Sequence, residues 1–122
     1  MSENILQKII DQKKIKIEKL KLEIDIKNLL HKIDENNVFF DFKKKILTNN
    51  SENKMSIIAE IKKASPSAGI LIDDYDPVKI ANIYNSKNVT CLSVLTEEDF
   101  FLGNLSHISE IKKKIELPIL CK

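Results

Sequence analysis

At 122 residues the chain has the length of one ordinary domain or of a part of a larger one. Hydrophobic residues make up 43%, and 20 basic side chains nearly balance 18 acidic ones, for a formal charge of +2. These figures argue against wholesale disorder and give no reason to expect a nucleic-acid or acidic-membrane partner. Cys91 and Cys121 both fall in apolar strand-like runs, with no metal spacing and no disulfide framework, and read as buried thiols suited to a reducing cytosol. The opening MSENILQKII lacks the apolar core of a secretory signal, and no run approaches the length of a membrane span. A soluble, cytoplasmic protein is the expectation.

In chain order, Ile5, Ile9 and Ile10, then Ile17, Leu20 and Ile24, recur at three- and four-residue intervals, with lysines on the opposite face, which predicts a helix. A shorter helical stretch follows through KNLLHKIDE. The segment VFFDFKKKILTNN carries Phe39, Phe40 and Phe42 into Ile46 and Leu47 and ends in the polar cluster NNSEN. The texture changes there, dividing the chain into a helical extension, residues 1–52, and a second part, residues 53–122.

KMSIIAEIKK reads as a strand and SPSAGILIDDYD as a loop. PVKIANIYNSKN has helical periodicity, with Asp76 as N-cap, Pro77 at the first helical position and Asn88 suited to a left-handed cap. VTCLSVLTE reads as a second strand, EDFFLG as a loop, NLSHISEIKKKIE as a second helix and LPILCK as a third strand. Strand, helix, strand, helix, strand with short connections is the signature of βαβ units in a parallel sheet. The apolar runs fit strands covered on both faces.

Reactive groups in such folds gather at the C-terminal ends of strands, where Glu60, Lys62 and Lys122 lie. Alternation puts Ile58, Glu60 and Lys62 on one face and Ile57, Ala59 and Ile61 on the other. Burying an unpaired charge is costly, so Glu60 and Lys62 must pair or face a wet pocket, and a solvated bridge on an edge strand fits the spacing as well. Ser65-Pro66-Ser67-Ala68-Gly69 is either an anion-binding loop or only a turn. Neither nucleotide-binding glycine motif is present. Asp73, Asp74 and Asp76 lack the spacing of a calcium loop. His31 and His107 read as surface or boundary residues, and Phe100 and Phe101 as either pocket lining or a hydrophobic staple.

The strings IIAEIKKASPSAG, DPVKIANIY, CLSVLTEEDFFLGNL and LPILCK, in that order, closely resemble the indole-3-glycerol phosphate synthase family. ENILQKIIDQKKIKIEKLK is similar to that family's helical extension. The resemblance spans essentially the whole chain and implies a (β/α)8, or TIM, barrel with the extension over the barrel mouth. It implies ring closure, decarboxylation and dehydration of 1-(2-carboxyphenylamino)-1-deoxyribulose 5-phosphate to indole-3-glycerol phosphate in tryptophan biosynthesis. It implies no metal or organic cofactor, and as partner only this small phosphosugar-anthranilate substrate. Whether the parent protein is fused to, or associates with, other tryptophan-pathway domains stays open.

Position by position, the resemblance makes Glu60 and Lys62 a catalytic pair on the first strand and Lys122 the catalytic lysine of the third. Ser65 matches a serine that shapes the site, and Leu95 and Phe101 match apolar residues that hold the substrate's aromatic ring. Ala68, Asn88 and Cys121 depart from the usual lysine, glycine, and arginine or methionine. A complete barrel needs eight strands and about 250 residues. Three strands imply an N-terminal fragment, inactive alone and with open sheet edges. Two other readings compete: a non-catalytic helical interaction module, and another phosphosugar barrel enzyme such as phosphoribosylanthranilate isomerase, for which the EIK and SVLTE strings give no support.

Overall fold

The computed structural model describes residues 4–33 and 38–122. Contacts group the chain into two compact units, Met1–Val38 and Phe39–Lys122. In the first, α1 spans Ile5–Glu23 and α2 spans Ile26–His31. Each begins where a short polar side chain satisfies a free amide: Asn4 accepts from Leu6 N–H at 3.1 Å and Asp25 from Lys27 N–H at 3.3 Å. Neither helix contains a buried residue. Asp34 and Glu35, which end the second predicted helical stretch, lie outside the described residues.

The second unit opens with α3, Phe42–Ser51, capped by Asp41, which accepts from Lys44 N–H at 2.8 Å. It then alternates strand and helix as expected: β1 (Ile58–Ile61), α4 (Pro77–Ser86), β4 (Cys91–Val94), α5 (Ser106–Lys112) and β5 (Ile119–Cys121), with the short strands β2 (Ala64–Ser65) and β3 (Gly69–Ile70) after β1. β1, β4 and β5 form one parallel sheet in the order β1-β4-β5. Ala59 and Ile61 of β1 and Leu92 and Val94 of β4 bury one sheet face against Ala81 of α4, Ile111 of α5 and Ile115 and Leu117 beyond it. Burial of these side chains against the two helices fixes the strand register, because a slip of one residue would turn Glu60 into that core. Three parallel strands with both crossover helices on one face are the arc of sheet expected of part of a barrel.

Asp76 caps α4 as predicted, accepting from Val78 N–H at 2.9 Å and Lys79 N–H at 3.0 Å. Asn88 takes the left-handed conformation, with φ 59°. Other expectations are corrected. The stretch read as a loop after β1 contains the β2–β3 hairpin, turned by Gly69 at φ 67°, where a side chain is strained. The second barrel helix is shorter than residues 104–116, because the chain leaves the helix after Lys112 and still buries Ile115 and Leu117.

Burial also differs from expectation. Only β4, the central strand, is buried along its whole length, while β1 and β5 lie at the sheet's edges. Ile57, set by alternation on the same face as Ala59 and Ile61, is 49% exposed, since it precedes the paired part of β1 and the core starts at Ala59. Cys91 is buried, but Cys121 is exposed, because no further strand or helix of the described residues covers that edge. At the other end of the sheet, Asn49 of α3 donates to Ser56 Oγ and Thr90 Oγ1, both at 3.2 Å. This helix of the predicted extension therefore packs at the strands' N-terminal ends, opposite the mouth.

Candidate functional site

The face of the sheet turned away from α4 and α5 carries the charges. Register sets Glu60 of β1 opposite Ser93 of β4, and Ser93 opposite Leu120 of β5. Ser93 is buried and small, so no bulky side chain stands in the row that separates Glu60 from the last strand. Just past the strand ends, Lys62 and Lys122 both turn to Glu60. Lys62 Nζ lies 3.3 Å from Oε1 and Lys122 Nζ 2.8 Å from Oε2. One carboxylate holds two ammonium groups, and the trio keeps one positive charge in excess.

The backbone under each charge is tied down. Tyr84 of α4 donates its hydroxyl to the Glu60 carbonyl at 3.1 Å. Lys122 N–H donates to Val94 O at 3.0 Å, and the Lys122 carbonyl accepts from both Thr96 N–H, at 2.8 Å, and Thr96 Oγ1, at 2.9 Å. Glu60 and Lys62 are about two-thirds covered, with side-chain exposures of 32% and 31%, while Lys122 reaches out further at 56%. The Lys122 hydrogen bond is the main cause holding the Glu60 carboxyl below the usual carboxylate range; partial burial opposes it, and the Lys62 contact adds to the lowering. Glu60 is thus an anion over a wide pH range, and each lysine has a fixed acceptor to orient it.

Among the described residues, Ser65, Leu95 and Phe101 make no hydrogen bond to the side chains of this trio. Ser65 is half-buried on the hairpin, and its hydroxyl accepts from Ala68 N–H at 3.2 Å, so it shapes its own turn. Leu95, 3% exposed, continues the inward row between Lys62 and Lys122, its N–H donating to Ile61 O at 3.1 Å. Phe101 is half-buried on the loop between β4 and α5. His31 is exposed, whereas His107 sits at a boundary, with its ring centroid 5.6 Å from that of Tyr75 and its Nδ1 buried without a hydrogen-bond partner. Among the described residues no group of three or more His, Cys, Asp or Glu side chains could hold a metal ion, and no helix is long and apolar enough to cross a membrane.

Sequence reasoning missed Thr96, Tyr84, Ser93 and Glu97. The first three act through backbone contacts or by being small, for which periodicity carries no signal. Glu97 stands in the run Glu97-Glu98-Asp99, which reads as solvated charge, yet its carboxylate accepts from three backbone amides.

The family model described as indole-3-glycerol phosphate synthase matches residues 6–122. A curated protein of that name from Microcystis aeruginosa is 38% identical over 120 residues, covering 98% of this chain and 40% of its own length. Those from Desulforamulus reducens and Prochlorococcus marinus strain AS9601 are 42% and 40% identical, over 97% and 99% of this chain and 43% and 40% of their own lengths. The chain spans about two-fifths of the length of these relatives. With a match over nearly its whole length and a three-stranded parallel arc carrying charged groups at the strand ends, this chain belongs to the indole-3-glycerol phosphate synthase family, whose fold is the TIM barrel.

Proposed function

We propose that this chain supplies the first part of a carbon–carbon lyase of the cytosol that converts 1-(2-carboxyphenylamino)-1-deoxyribulose 5-phosphate into indole-3-glycerol phosphate. The observation that carries this reading is the Glu60 carboxylate held between Lys62 and Lys122 at one end of the parallel sheet, where barrel enzymes place their chemistry. An excess positive charge there suits a substrate bearing a carboxylate and a phosphate.

Ring closure brings the substituted aromatic carbon onto the C2′ carbonyl, and negative charge develops on that oxygen. An ammonium group aimed at the oxygen stabilises it and delivers the proton. Lys122, the more exposed of the two lysines, takes this role. Loss of carbon dioxide from the ring carbon that bears the carboxylate then returns an electron pair to the ring system. Departure of the C2′ hydroxyl as water needs a second donor, and Lys62 takes that role, with Glu60 setting the orientation of both lysines. Loss of the neighbouring C1′ proton to a base of the completed barrel leaves its electron pair as the new ring double bond. Leu95 and Phe101 supply apolar contact to the substrate's aromatic ring, and Ser65 shapes the adjoining loop.

The parallel sheet is open at β1 and β5, so the remaining strands must close it before substrate is enclosed. The test is to assay the purified chain alone and after completion to the relatives' length, following indole-3-glycerol phosphate by its ultraviolet absorbance. Turnover by the completed chain and none by the chain alone is expected. Absence of turnover in a folded, completed chain contradicts the proposed activity.

A further inference from the structure

We propose that Glu97 is a positioning residue for Phe101, fixing the loop that carries this aromatic side chain so that it forms a pre-set wall for the substrate's ring. This rests on the substrate-facing role proposed for Phe101.

Glu97 follows β4 by three residues, and its carboxylate turns back onto its own loop. Oε1 accepts from Asp99 N–H at 3.1 Å, and Oε2 accepts from Phe100 N–H at 2.7 Å and Phe101 N–H at 3.1 Å. Successive backbone amides converging on one anion make a concave nest, and hydrogen bonds to an ionised acceptor are stronger than neutral ones. The main chain closes the same loop a second time, with Gly103 N–H donating to the Glu97 carbonyl at 2.7 Å.

Two features show that the loop needs this anchor. Leu102, next to Phe101, is held at φ 53°, a conformation a leucine does not adopt unless surrounding contacts impose it. Gly103 passes so close to β4 that a Cβ there would stand 2.3 Å from the Leu95 carbonyl oxygen. The loop is therefore pinned at its start by Glu97 and at its end against Leu95. Phe101, half-buried between those points, has its backbone direction set before any ligand arrives. Without the carboxylate, three amides lose their acceptor and Leu102 can relax, which swings Phe101 away.

The test is a double-mutant cycle in the chain completed to its relatives' length, with KM and kcat measured for the wild type, Glu97→Ala, Phe101→Ala and the double variant. Each single change is expected to raise KM about tenfold, and the double variant is expected to match the single ones to within about twofold. Glu97→Gln, which keeps one acceptor oxygen, is expected to raise KM about threefold and supplies the cycle if Glu97→Ala does not fold. A loss of global stability alone would not produce this non-additivity. Effects that multiply to about a hundredfold, or an unchanged KM in the Glu97 variants beside a raised one in Phe101→Ala, overturn the inference and leave the proposed function standing. An unchanged KM in Phe101→Ala removes the ring-contact role itself, and the inference with it.

Discussion

Glu60 and Lys122 meet at 2.8 Å although 62 positions separate them, one on the first strand and the other just past the last, on opposite edges of the three-stranded sheet. The contact passes the small side chain of Ser93 on the central strand and shares its carboxylate with Lys62 at 3.3 Å. One residue thereby links the tips of both edge strands.

The linkage has a pH signature. Glu60 is held below the usual carboxylate range in the folded chain, so its contribution to stability is complete above the ordinary glutamate value of about 4.3 and is lost as pH falls through the lowered folded value. Glu60→Gln removes that titration. Urea unfolding midpoints taken from neutrality down to about pH 2 should fall more steeply for the wild type than for the variant across that acid window. Parallel curves would show that the two lysine contacts add nothing to folding.

A second expectation concerns close approach of backbone to backbone. The Cβ of Gly103→Ala would meet the Leu95 carbonyl oxygen at 2.3 Å and its carbon at 2.7 Å, atoms with no side-chain freedom to yield. The variant should lose ~1–3 kcal/mol of stability, read from thermal or urea unfolding. A wild-type midpoint would mean that the loop shifts at no cost, against the pinned geometry.

The two thiols should separate kinetically. Cys121 is exposed, whereas Cys91 is fully buried and burial pushes its thiol pKa up. A disulfide reagent added to the native chain should modify one thiol quickly and the other only as the chain opens or is denatured. Two equally fast reactions would place Cys91 at the surface.

Much of this fold was legible in the residues. Asp76-Pro77 announces the start of α4, since a capping carboxylate and a fixed proline φ are local chemistry that needs no tertiary help. The alternation in Ile58–Ile61 assigned Glu60 to the face away from Ala59 and Ile61, and the helices do cover those two. What escaped the sequence depends on contacts between distant positions. The exposure of Ile57 and Cys121 follows from which strands sit at the sheet's edges, which an apolar run does not record. The strand pattern put Glu60 and Lys122 at the same end of the sheet, but their direct contact was not legible, because nothing in LPILCK itself says where its last side chain points. Glu97 was hidden for the opposite reason: its contacts are local, but a carboxylate beside two others looks like solvated surface charge until the loop is seen folding back on it.

The central claim is that Glu60, Lys62 and Lys122 form one acid–base constellation for the ring-closure reaction. Its most direct test is single-turnover kinetics of Lys122→Met in the chain completed to its relatives' length, with substrate binding measured alongside. The account predicts a folded protein that still binds substrate and forms indole-3-glycerol phosphate ~10²–10⁴-fold more slowly than the wild type. A rate within about twofold of the wild type would contradict it.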